Sequence, residues 1–294
     1  MNNETLYLGV DGGGSKCKAR LVDATGTLLG IGSAGPANPF QDLEQTRHSI
    51  LASADLALAE AGLASADRAR LVVGAGLAGV NIPRFHRMMS QWRHPFGQLY
   101  LTTDIHIACL GAHGGEDGAV IVVGTGSVGY SSVQGVGTSF GAHGFPFGDK
   151  GSGAWMGLEA MKAMLLAVDE LGPATSLVAA VQDHLGCTGL DVIDRMAGAA
   201  PRDYGALAPL VLTAAGDGDE VALAIVRQGA DYLSDLAGRL VATGVDEFCM
   251  LGGLATRIMP WMRPEITAMV VPPRGQPDEG AVGFAMARHC QQVA

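Results

Sequence analysis

The chain has 294 residues, 48% of them hydrophobic, and a formal net charge of −10, enough apolar content for one large or two ordinary domains. No lysine or arginine cluster stands out, which excludes the basic footprint that nucleic acid or an anionic membrane would need. A polyanion must therefore be held locally, by backbone N–H groups and a metal ion.

Residues 6–10 predict a buried strand ending on Asp11, followed by a turn of Gly12, Gly13, Gly14, Ser15 and Lys16. Cys17, Ala19 and Leu21 then alternate with Lys18 and Arg20, the period of a strand with one solvated face. A turn at 23–27 leads to a third strand at 27–32. The loop 35–40, GPANPF, precedes a helix carrying Leu43, Ile50, Ala54, Ala57 and Ala61 near one face, which Gly62 stops. A buried strand is expected at 71–75, a helix at 83–92 with Pro83 in its first turn, and a strand at 99–102 running to Asp104. The segment after Asp104 predicts a helix.

The scheme then restarts. Residues 119–123 predict a strand, Gly124, Thr125, Gly126 and Ser127 a tight turn, and 128–133 another strand. A glycine-rich loop over 135–153 leads into mostly helical sequence at 154–246. A strand at 248–251, a turn at Gly252 and Gly253, a helix at 256–262, a strand at 269–271 and a closing helix with Asp278 near its N-terminus complete the chain. The recurrence of strand, glycine turn and strand suggests two duplicated domains rather than a solenoid.

Glycines before a lysine raise the question of a phosphate loop. The P-loop pattern fails because Cys17 follows Lys16, and the dinucleotide fingerprint fails because its third glycine and its helix are missing. Two readings remain. One is a pair of hairpin turns whose amides face one polyphosphate, with magnesium between the phosphates and Asp11. The other is two ordinary hairpins with an aspartate in the turn.

The five cysteines, Cys17, Cys109, Cys187, Cys249 and Cys290, form no CxxC pair and fit neither a zinc site nor a disulfide framework. Reduced thiols in a cytosol are expected. The N-terminal sequence lacks the pattern of a signal peptide, and no run of about 18 apolar residues occurs. His106 and Cys109 stand at helical spacing, where helix packing is the expected role rather than metal binding.

Four motifs, in order, carry a resemblance. They are GVDGGGSKCKARLVD from Gly9, TTD ending at Asp104, GTGS at 124–127 and FGDKGSGAWMG at 147–157. Together they resemble the amino-sugar kinases, the glucosamine and N-acetylglucosamine kinases of the actin-like ATPase superfamily, over roughly residues 6–287. GAHGGEDGAVIVVGTGS and PRDYG at 201–205 look closest to bacterial glucosamine kinases. The resemblance implies an α/β chain of two ribonuclease H-like domains around a central cleft. The expected sugar and phosphate domain comprises 1–113 with 280–294, and the nucleotide-binding domain 114–279.

The implied reaction moves the γ-phosphoryl group of ATP to the sugar 6-hydroxyl, with Asp104 as general base, ATP and Mg2+ as cofactors, and Asp11 holding the metal through water. Gly12, Gly13, Gly14, Ser15 and Lys16, with Gly124, Thr125, Gly126 and Ser127, resemble the two phosphate loops; the Lys16 side chain itself is expected to be solvated. Gly252 and Gly253 resemble the adenosine motif. Asn38 and Asp149 resemble sugar-contacting positions. His143 stands where animal N-acetylglucosamine kinases often carry tryptophan, which puts the acetyl pocket in doubt and makes His143 a candidate reader of another C2 substituent. Glucosamine is the expected substrate and N-acetylglucosamine the alternative, with an ATPase activator or a sugar-sensing protein behind them. The expected partners are the small molecules alone, in a cytoplasmic protein that is a candidate homodimer.

Overall fold

The computed structural model of the chain describes residues 5–293. The chain divides into two compact units, Met1–Gly118 with Pro273–Ala294, and Ala119–Pro272.

In the first unit the strands are β1 (Leu6–Gly12), β2 (Cys17–Val22), β3 (Leu28–Ala34), β4 (Leu71–Leu77) and β5 (Gln98–Thr103). They lie in the order β3-β2-β1-β4-β5. The β1–β2 and β2–β3 pairs are antiparallel, whereas β4 pairs in parallel with both β1 and β5. The alternation in β2 works as the sequence suggests: Cys17, Ala19 and Leu21 are buried while Lys18 and Arg20 are only partly so.

The helices are α1 (Leu43–Glu60), α2 (Pro83–Ser90) and α3 (Asp104–Ala112). Asp42 caps α1 by accepting the Gln45 N–H, and Gly62 ends it in a left-handed conformation, φ 72°. Ile50, Ala54 and Ala57 of α1 pack on Leu8, Val10, Ala19 and Leu21 to make the core on one face of the sheet. The other face is covered by α3 and by a helix from the end of the chain, described below.

The second unit opens with β6 (Gly118–Val123), β7 (Ser127–Val133) and β8 (Val136–Gly141). Its helices are α4 (Gly153–Val168), α5 (Leu177–Leu185), α6 (Leu190–Met196), α7 (Pro201–Gly205), α8 (Ala208–Gly216) and α9 (Glu220–Val241). The strand β9 (Cys249–Leu251) and the short helices α10 (Ala255–Ile258) and α11 (Pro264–Thr267) follow. The sheet order is β8-β7-β6-β9, with β6 and β9 parallel. Its core gathers Ile121 and Val123 of β6, Trp155 and Met156 of α4, Leu233 and Leu240 of α9, and Phe248. No helix among the described residues is long and apolar enough to cross a membrane.

Each unit therefore has three chain-consecutive strands side by side, with a later parallel strand on the far side of the first. The internal echo in the sequence is a repeated sheet topology.

Three expectations change. The segment 136–141 is a strand, not loop, because it pairs with β7 from Val128↔Gly141 to Val133↔Val136. The strand expected at 269–271 reduces to one bridge, Phe248↔Val270. The helix expected at 256–262 is one turn of α-helix continued by a 3-10 turn, Met259–Trp261, since Pro260 cannot donate to a helical carbonyl.

The last helix, α12 (Pro277–Val293), returns to the first unit and lies on β1 and β4. Glycine makes this approach possible: a Cβ at Gly9 would overlap the Asp278 carbonyl, and one at Gly74 the Ala281 carbonyl. The strap before α12 is tied to α3 by Arg274 N donating to Ala112 O at 2.8 Å.

Candidate active site

In the first unit the candidate residues meet at the C-terminal ends of β1, β4 and β5. The β1–β2 turn closes by Gly13 N donating to Lys16 O at 2.9 Å, leaving Gly14, Ser15 and Lys16 exposed. Two neighbouring loops are fastened to it, since Ala37 N donates to Gly13 O and Ala78 N donates to Gly12 O, both at 2.8 Å. Gly12 is the tight point, because a Cβ there would strike Leu77 and Ala37. The Gln41 side chain leans on Gly14, a neighbour that the spacing of the sequence did not disclose.

The first of those loops places Asn38. Its Oδ1 accepts the Phe40 N–H at 3.0 Å and sits where a Cβ on Gly79 would be. That bond orients the amide, with Oδ1 as acceptor and Nδ2 as its donor end.

Asp104 is the first residue of α3. Thr103 is the N-cap, its Oγ1 accepting from His106 N at 3.3 Å, so Asp104 is not needed for that task. Its carboxylate accepts the Ile105 N–H at 2.9 Å. Burial raises its pKa. Asp11 stands nearby: burial, then the charges of Asp104 and Asp278, push its pKa up to about 6. Two partly buried carboxylates that repel each other suit a divalent cation shared with phosphates. No group of three or more metal-binding side chains occurs among the described residues. Asp11 therefore fits an ion held mostly by water and phosphate oxygens rather than an all-protein cage.

His106 and Cys109, also on α3, point elsewhere. His106 Nδ1 lies 2.7 Å from Thr102 Oγ1, and Cys109 Sγ donates to Gly118 O at 3.3 Å.

In the second unit the β6–β7 turn is locked from behind by α4. Gly153 N donates to Gly124 O at 2.8 Å and Ala154 N to Thr125 O at 3.1 Å. Among the described residues no protein group accepts from the amides of Thr125 and Gly126, which are the open donors of the turn. Ser127 is buried, its Oγ donating to Lys150 O at 2.9 Å. Asp149 lies against this turn, with Oδ2 where a Cβ on Gly126 would be. Its backbone is left-handed, φ 59°, a conformation uncommon outside glycine and worth attention in a site. Burial raises the Asp149 pKa, opposed by hydrogen bonds from the Gly144 and Ser127 amides and by the charge of His143. His143 itself is exposed and packs on Gly148. Tyr232 of α9 feels the Asp149 charge; nothing in the sequence near it pointed to the site.

Gly252 and Gly253 follow β9 beside the same turn. Gly252 has φ 97° and a Cβ there would overlap the Val123 carbonyl, which accepts the Leu254 N–H at 3.1 Å. Gly153 faces Leu254, Gly124 and Gly205 at close range. The turn at 124–127, the turn at 252–253 and the end of α7 thus converge on one glycine-walled corner, where backbone can approach a flat ligand.

The model of the BadF/BadG/BcrA/BcrD ATPase family matches residues 8–287. The chain is 35% identical over 279 residues to the glucosamine kinase GspK of Vibrio cholerae, covering 95% of each. It is 26% identical to an N-acetyl-D-glucosamine kinase of Dictyostelium discoideum, over 81% of this chain and 80% of that one. A candidate N-acetylglucosamine kinase of Chromobacterium violaceum superposes with a TM-score of 0.89 at 30% identity, covering 97% of this chain and all of that one. The chain belongs to the BadF/BadG/BcrA/BcrD ATPase family and has its two-domain, actin-like ATPase fold.

Proposed function

We propose that the chain is an ATP-dependent kinase that transfers the γ-phosphoryl group of ATP to the 6-hydroxyl of glucosamine, giving glucosamine 6-phosphate and ADP. The observation that carries the reading is Asp104: a carboxylate at a helix start whose capping is done by Thr103, with a pKa raised by burial and Asp11 beside it. Full-length similarity to a glucosamine kinase supports the substrate.

In this reading Asp104 accepts the O6 proton as the bond from O6 to phosphorus forms and the bond from phosphorus to the ADP oxygen breaks. A raised pKa makes it a stronger base. Gly12, Gly13, Gly14, Ser15 and Lys16 are assigned to phosphate, as are Gly124, Thr125, Gly126 and Ser127, largely through backbone N–H groups. Gly252 and Gly253 are assigned to adenosine. Asp11 is assigned to Mg2+, which when bound neutralises phosphate charge. Asn38, Asp149 and His143 are assigned to the sugar hydroxyls and the C2 substituent.

A second reading, N-acetylglucosamine as substrate, is favoured by the Dictyostelium relative and the Chromobacterium neighbour. One assay separates them: turnover of both sugars with Mg-ATP, coupled to ADP detection. Glucosamine should have the larger kcat/KM, and a preference of about a hundredfold for the acetylated sugar, some 2.7 kcal/mol, would reverse the assignment. Asp104→Asn should lower kcat by roughly 10²–10⁴. Near-normal turnover by the folded variant removes Asp104 as base.

A further inference from the structure

Asp11 has a lysine as its cross-strand neighbour. The β1–β2 register sets Asp11 opposite Lys18 and Gly9 opposite Arg20, and directly paired residues share a face of the sheet. A lysine there would ordinarily pair with the aspartate. Among the described residues no ion pair joins them. Lys18 Nζ instead lies 3.0 Å from Asp278 Oδ1, while Arg20 Nε donates to Asp278 Oδ2 at 2.6 Å. Arg20 also reaches Glu279 at 3.1 Å.

The backbone arrangement explains the choice. Gly9 has no side chain, so the first turn of α12 settles on the sheet with the Asp278 carbonyl against Gly9. The Asp278 side chain, 1% exposed, then lies within reach of both Lys18 and Arg20. A buried carboxylate between two cations holds them more firmly than a partly exposed one can, because solvent screens it less. Among the described residues Asp11 then makes no ion pair, although the charges of Lys16 and Lys18 still reach it.

We propose that Asp278 is a positioning residue for the metal carboxylate: by holding Lys18 it keeps that lysine from pairing with Asp11, so that Asp11 remains available to a hydrated divalent cation. The proposal rests on the assignment of Mg2+ to Asp11. Without Asp278, Lys18 would turn to its cross-strand neighbour and supply the positive charge that the cation should supply.

The test measures binding rather than turnover. Affinity for the non-hydrolysable analogue AMP-PNP is measured calorimetrically with Mg2+ and with EDTA, and the ratio gives the metal-dependent gain. Asp278→Asn should cut that gain by about fivefold or more, and Lys18→Met in the Asp278→Asn background should restore it to within about twofold of wild type. Lys18→Met alone should leave it intact. A purely structural role for Asp278 would not be repaired by removing the lysine, so loss of the gain in the double variant overturns the proposal. An unchanged gain in Asp278→Asn also overturns it. Should that single variant fail to fold, Asp278→Ser, alone and combined with Lys18→Met, takes its place with the same expected and overturning results. Asp11→Asn keeps the two levels apart: if it retains the gain, the assignment of metal to Asp11 fails and this proposal with it. If it loses the gain while Asp278→Asn does not, only the role of Asp278 fails.

Discussion

Asp11 shows what burying a carboxylate beside other acids costs a fold. Its pKa is pushed up to about 6, by burial first and by Asp104 and Asp278 next, against about 3.9 in an unfolded chain. The folded state therefore holds the Asp11 proton more tightly. This contribution favours folding at low pH and is lost as pH rises from about 4 through 6. At pH 7 the charged carboxylate costs on the order of 3 kcal/mol. Asp11→Asn should accordingly be more stable than wild type in metal-free buffer at pH 7, by an amount that shrinks at pH 5 and vanishes near pH 4. Urea unfolding at those pH values checks it, and a variant destabilised at pH 7 would contradict it. Much of the candidate site could be named from the sequence: Asp11, Asp104 and the two glycine turns have their residue types at strand ends in family-like order. Tyr232 and Gln41 could not, since tertiary packing alone brings them to the site. Nor could the engagement of Lys18 by Asp278, 260 residues away in sequence, because no local pattern encodes it.

Elements that bury one face declared themselves. The alternation of Cys17, Ala19 and Leu21 against Lys18 and Arg20 gave β2, and the small residues of α1 gave a helix on the sheet. β8 did not, because its glycines and its exposed Val136 give no period, and its identity as a strand comes from pairing with β7. The 269–271 segment misled in the opposite direction, with apolar residues but room for only one bridge. Packing between elements rests on a few missing side chains. At Gly9 a methyl group would drive α12 off β1, and backbone cannot yield as a flexible side chain can. Gly9→Ala should cost about 1–3 kcal/mol or more, seen as a lower urea midpoint with little change in slope. The same substitution at Gly26, where no atom lies within 4 Å, should cost less, through its positive φ of 86° alone.

The whole molecule carries a net charge of −10, which acts on its ligands before any contact forms. Mg-ATP is an anion and should be repelled, glucosamine is a cation and should be attracted, and N-acetylglucosamine is neutral. Added salt screens these fields. Between roughly 50 and 300 mM KCl, kcat/KM for glucosamine should fall about twofold and that for Mg-ATP should rise or stay level. A steep fall for Mg-ATP would mean that side-chain cations, not backbone amides, hold the phosphates. The second unit is contiguous, Ala119–Pro272, whereas the first is completed only by Pro273–Ala294. During synthesis from the N-terminus, the sheet of β1 to β5 emerges with Gly9 and Gly74 uncovered and with Lys18 and Arg20 lacking their acid. It must wait for the whole second unit before α12 arrives. The helix whose Asp278 holds Lys18 and Arg20 thus joins the first unit only after the whole second unit has been made, so the surroundings of Asp11 are assembled late in synthesis.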